Sequence, residues 1–168
     1  MYPLKPLSKD AVPAALAKAE RYRLLNEPGE AESICLDVLQ VDPANQDAIV
    51  ALLLSLTDQF PAAEGNSAAL AARAEGLLAR LTDPYEREYY KGIIRERRAK
   101  AALQRESFHS SASAVAWLHE ALACFERAEA LKPAHNEDAT LRWNACVRLM
   151  QRLPHAVADT HTEPIESE

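Results

Sequence analysis

Three prolines set the strongest constraint on this chain, because each ends a helix-like segment with the same punctuation: Val41-Asp42-Pro43, Thr82-Asp83-Pro84 and Leu131-Lys132-Pro133. Proline cannot continue a helix, and it biases the residue before it away from the helical region. Counting back from the prolines gives one spacing three times. Ala31, Cys35 and Val38 precede Pro43 by 12, 8 and 5 residues; Ala72, Gly76 and Ala79 precede Pro84, and Ala121, Phe125 and Ala128 precede Pro133, at those same distances. Composition agrees with a helical reading. The 168 residues include 32 alanines, against 17 valines, isoleucines and threonines together, and only four glycines. Alanine is the best helix former, whereas sheets draw on β-branched residues and turn glycines. Gly29, Gly65, Gly76 and Gly92 never cluster, which excludes a glycine-rich phosphate loop.

Proline and polar punctuation predict seven helices, at about 9–26, 29–40, 44–59, 66–81, 84–106, 112–131 and 137–152. The serine-rich stretch Ser107 to Ser111 reads as a loop, and residues 153–168 as an acidic, disordered tail with Asp159, Glu163, Glu166 and Glu168 and no lysine or arginine.

The small–bulky–small–proline spacing resembles the second helix of a tetratricopeptide repeat, where a small side chain lets two antiparallel helices approach and a bulky one fills the space beside it. The opening helices match through Ala15, Lys18, Ala19 and Tyr22; Ile49, Leu52, Leu53 and Leu56; and Tyr90, Ile93, Ile94 and Arg97. The last helix offers Trp143, Cys146, Val147 and Met150. The resemblance implies an all-α, right-handed superhelical stack of antiparallel hairpins: an extension at 1–10, a domain at 11–152 with repeats at about 12–45, 46–86 and 87–135, and a capping helix at 137–152. Proline-to-proline distances of 41 and 49 residues exceed the usual repeat of about 34. They imply insertions around Gln59–Ser67 and Glu106–Ser113.

In such a stack the first helix of each hairpin lines a concave groove. The resemblance places there Leu16, Glu20 and Arg23; Val50, Leu54 and Thr57; Lys91, Arg95 and Arg98; and Asn144, Arg148 and Gln151. The basic part also follows from helix geometry, since Arg87, Lys91, Arg95, Arg98 and Arg105 fall within roughly 80° of arc. Residues 84–105 carry seven lysines and arginines against three glutamates, in a chain of net charge −6. Such a stripe is a solvated face, a face paired with carboxylates of neighbouring helices, or an anion-attracting groove. Guanidinium groups suit the last role because they bind carboxylates bidentately. Leu16 and Glu20 stand where a carboxylate clamp of the family would want lysine and asparagine, so the grip would be built from Lys91, Arg95, Arg98, Asn144 and Arg148.

The leading expectation is a non-enzymatic cytoplasmic adaptor that binds a protein or peptide segment, an acidic one, with no cofactor or metal. The competing expectations are a small chaperone masking an apolar segment with Leu16, Val50 and Leu54, and a homo-oligomeric module packing through Trp143. Net charge speaks against a nucleic-acid partner. The longest apolar run, Ala48 to Leu54, is too short for the roughly 20 residues that cross a bilayer. Cys35, Cys124 and Cys146 form no CxxC pair and fit a reducing compartment. His155, Asp159 and His161 are a weak metal candidate, and Ser107, Ser110 and Ser111 beside His109 lack a nucleophile elbow.

Overall fold

A computed structural model describes residues 2–63, 65–105 and 108–153, with side chains for all of these except 108–111. It is all-helical, with seven α-helices and no strand among the described residues: α1 (Val12–Leu24), α2 (Pro28–Val41), α3 (Gln46–Asp58), α4 (Ser67–Leu78), α5 (Pro84–Leu103), α6 (Phe108–Leu131) and α7 (Asp138–Arg152). Short 3-10 turns occupy Lys9–Ala11 and Phe60–Ala62.

Local chemistry explains the boundaries. Asn26, at φ 59°, reverses the chain after α1. The Glu27 N–H reaches the Tyr22 carbonyl (2.9 Å) and the Asn26 N–H reaches that of Arg23 (3.0 Å), closing the helix end as a left-handed cap. Pro28 and Pro84 sit in the first turns of α2 and α5, where no intrahelical N–H is needed. The Asn45 side chain accepts from the Ala48 N–H (2.9 Å) and Asp83 from the Tyr85 N–H (2.8 Å), each satisfying a donor that the helix start leaves free.

Each helix packs on the next in sequence, and α3 also touches both α1 and α5. One core lies among α1–α4 and includes Ala19, Ala31, Cys35, Leu53 and Phe60, with Ile94 and Ala101 contributed by α5. The second lies among α5–α7 around Ile93, Leu118, Phe125 and Cys146. Leu54 and Tyr90 pack against both.

The proline-anchored spacing holds in two of its three places. Ala31, Cys35 and Val38 are fully buried, as are Ala121, Phe125 and Ala128. Ala72, Gly76 and Ala79 are instead exposed. On α4 the buried set is Leu70, Ala71, Ala74 and Leu77, because the helix stops at Leu78 and residues 79–83 form a non-helical link before Pro84. The link is fixed at both ends of its span. Leu81 plugs the first core, Arg80 Nη2 donates to the Pro43 carbonyl (2.8 Å), and the Thr82 N–H donates to Gln46 Oε1 (2.9 Å).

Both insertions are put to structural use. In the first, the 3-10 turn seats Phe60 at 0% exposure in the core. The second is largely helix, since α6 starts at Phe108 and runs 24 residues, beside the 20 of α5. The serine-rich segment expected as a loop is therefore helical from Phe108; Glu106 and Ser107 lie outside the described residues, as does the tail from Pro154.

Candidate functional site

The face shared by α1, α3 and α5 is the site that the fold builds. By helix geometry half-buried Leu16 shares the side of α1 that carries Arg23, and half-buried Val50 and Leu54 lie within roughly 80° of Asp58 on α3. Charged side chains in the C-terminal halves of the three helices then tie the face together. Arg23 Nε donates to Asp58 Oδ2 (2.8 Å) and Arg23 Nη1 to Glu20 Oε2 (3.0 Å). From the other side Arg97 Nη1 reaches Asp58 Oδ1, Thr57 Oγ1 (2.8 Å) and the Leu54 carbonyl (3.3 Å). Asp58 is thus the hub of a three-helix chain Arg23–Asp58–Arg97. Burial pushes the Arg97 guanidinium below its usual range, and the Asp58 carboxylate offsets part of that cost.

A second polar centre joins α5 to α7. Glu96 is 1% exposed, and its Oε1 takes Lys100 and Arg142 (Nη1 at 3.6 Å). Its Oε2 is buried with no hydrogen-bond partner among the described residues. Burial works against the Arg142 cation, but Tyr89 and Glu96 more than offset it and raise its pKa.

The basic stripe of α5 does not join this face. Arg95 pairs with Glu75 of α4 (2.6 Å) and Glu120 of α6 (2.8 Å). Arg98 lies 3.6 Å from Glu75, with its guanidinium 4.4 Å from the centre of the Trp117 ring. Lys91 is half-buried on the same side, and its charge is felt at Cys124 of α6. Asn144 and Arg148 are exposed on α7, about 160° from the buried Cys146 in opposite senses by helix geometry. Of the expected grip of Lys91, Arg95, Arg98, Asn144 and Arg148, Arg95 and Arg98 are already paired within the fold, while Asn144 and Arg148 lie on the exposed side of α7.

Gly92 explains the rotation of α5. A Cβ there would lie 2.5 Å from Phe125 Cε1, so this glycine must face α6 at the crossing. With Gly92 so fixed, helix geometry turns Arg97 about 140° away, toward α3, and Arg95 about 60° to the other side, toward α4 and α6. Asp58, Glu96, Arg97 and Arg142 are the polar residues that the sequence expectation missed at this face. The available signal was Gly92 itself, a helix-interior glycine that costs about 1 kcal/mol unless packing requires it.

Other candidates gather little. Among the described residues no three His, Cys, Asp or Glu side chains converge as a metal site; His155, Asp159 and His161 lie outside those residues. No helix among them is long and apolar enough to cross a membrane. All three cysteines are buried and unpaired, with burial raising Cys35 to about 11 and Cys146 to about 12. No family model, no curated protein and no solved structure matches this chain.

Proposed function

We propose that the protein is a non-enzymatic adaptor with a tetratricopeptide-like stack, and that it holds a segment of a partner protein against the α1–α3–α5 face. The stacking reading is supported by the contacts of α3 with both α1 and α5, and by close helix crossings at fully buried Ala19 and Ala31 and at Gly92 against Phe125. Buried free thiols at Cys35, Cys124 and Cys146 also suit a reducing cytoplasm.

One observation carries the binding reading. Half-buried Leu16, Val50 and Leu54 share a face with a fixed row of charges, Glu20–Arg23–Asp58–Arg97. A rigid apolar strip beside preorganised charges suits an amphipathic segment, because ordering costs are already met in the free protein. The ligand in this reading is mixed in character. Strong acidity, the expectation drawn from the α5 stripe, loses its footing where Arg95 and Arg98 already pair with Glu75 and Glu120.

The test is site-specific photo-crosslinking from native lysate, with the reactive residue placed at Leu16 or Val50 and, as control, at Arg148. The expected result is one partner protein captured from positions 16 and 50 and not from 148. That partner is then released by Val50→Gln and retained by Arg148→Glu. Capture from 148 alone, or retention by Val50→Gln in a protein that melts normally, overturns the proposal.

A further inference from the structure

The solvent side of α1 combines exposed apolar and basic side chains. Ala14, Ala17, Lys18, Arg21, Leu24 and Leu25 follow one another along it, all exposed, with Leu24 at 79% and Leu25 at 61%. Neither Lys18 nor Arg21 forms an ion pair among the described residues. The face is therefore apolar and basic together. On α7, by contrast, exposed Leu141 follows Glu137 and Asp138 at helical spacing, so that surface is partly acidic.

Residues 154–168 have the complementary chemistry. They carry Asp159, Glu163, Glu166 and Glu168, no lysine or arginine, and the apolar Val157 and Ile165. We propose that the end of this segment of the same chain docks on the solvent side of α1, with Glu163, Glu166 and Glu168 at Lys18 and Arg21 and Ile165 against Leu24 and Leu25.

Geometry permits the reach. Val12 packs with Ala48, and the Thr82 N–H just before α5 bonds Gln46 at the start of α3, while Arg23, Asp58 and Arg97 meet further along, so α1, α3 and α5 run in one direction. Tyr85 and Ala139 pack together near the starts of α5 and α7, which places α7 parallel to them. Leu153 therefore leaves α7 on the same edge as Leu24. Three interhelical steps of about 8–10 Å separate α7 from α1, roughly 30 Å. Residues 163–168 lie far enough beyond Leu153 to reach about 35–50 Å when extended. The α5 stripe is a poorer target, since Arg95 and Arg98 are already paired. This inference is independent of what binds the α1–α3–α5 face.

Paramagnetic quenching in the full chain tests it, with a spin label on Thr162→Cys. The buried native thiols, whose pKa values are raised, stay unlabelled under brief mild treatment. The expected result is loss of most amide signal from Ala14–Leu25. Lys18→Glu/Arg21→Glu restores that signal, and adding Glu163→Lys/Glu166→Lys quenches it again. Absence of quenching on α1, or quenching of α5 or α7 instead, overturns the proposal. So does quenching that appears in isotope-labelled chains only after mixing with separate spin-labelled chains, which would place a neighbour's segment there.

Discussion

Gly92→Ala reverses the usual sign of a glycine-to-alanine change in a helix. In an open helix interior the change gains about 1 kcal/mol. At Gly92 the added methyl meets the Phe125 ring at 2.5 Å (Cε1), 2.8 Å (Cδ1) and 2.9 Å (Cζ). That ring is 1% exposed and also packs on Tyr89, with centroids 6.0 Å apart, so it has no open side to move into. Overpacking of this kind costs about 1–3 kcal/mol. Subtracting the propensity gain leaves a net loss of about 1 kcal/mol, or about 2–4 °C in Tm for a domain of this size. Gly76→Ala on α4 supplies the internal control, because Gly76 is exposed and nothing lies within 4 Å of its missing Cβ. It should gain about 1 kcal/mol, so the two variants should differ by about 2. In a Phe125→Leu background the clash is relieved, and Gly92→Ala should become neutral or stabilising, a coupling of about 0.5–3 kcal/mol. Urea unfolding followed by circular dichroism reads all four variants against the unsubstituted protein. A Gly92→Ala protein as stabilised as Gly76→Ala would refute the argument that this glycine sets the rotation of α5.

Asp58→Asn leaves Arg23 and Arg97 without their shared carboxylate and should cost about 1.5–3 kcal/mol. Glu120→Gln, at a more exposed partner of Arg95, should cost less than about 1; melts showing the reverse order would remove Asp58 as the hub. Stability should fall as pH rises above about 9, because Cys35, Cys146 and Tyr85 hold their protons up to about 11, 12 and 12 in the folded chain while the unfolded chain releases them from 9.0 for the thiols and 10.0 for the phenol. Each such group contributes stability in full below its unfolded pKa and loses up to about 1.4 kcal/mol per pH unit above it. Urea midpoints unchanged between about pH 8.5 and about pH 10.5 would count against this burial. Asn144→Ala and Arg148→Ala, on the exposed side of α7, should each change stability by less than about 0.5 kcal/mol in thermal melts.

Helix number and approximate limits were legible in the sequence because capping and proline chemistry are local: Asn45, Asp83, Pro28 and Pro84 act within a turn of where they sit. Orientation was legible only where one face differs in size or polarity from the rest. On α2 and α6, Cys35 and Phe125 mark the buried side. Along α4, SAALAARAEGLL, alanines occupy every side, and counting from Pro84 failed because the link 79–83 consumes residues that the spacing assigns to helix. On α5 the charge period identified a real stripe but not what opposes it, since Glu75 and Glu120 lie 20 and 25 residues away from Arg95. Only Gly92, read as a crossing point, carried the correct rotation.

The two largest clusters divide the molecule into a pair of leaves, α1–α4 and α5–α7, joined in sequence by residues 79–83 and knit together by Ile94 and Ala101 of α5. Ionic braces cross that junction on opposite sides of α5: Arg97 to Asp58 on one, Arg95 to Glu75 on the other. Spreading α3 from α5 stretches the first brace, while folding the leaves the other way stretches the second. Bending is thus resisted in both directions by charge as well as by apolar contact. Screening by salt weakens ion pairs more than it weakens burial. The chain should therefore behave as a spring whose stiffness, but not its rest shape, is set by ionic strength.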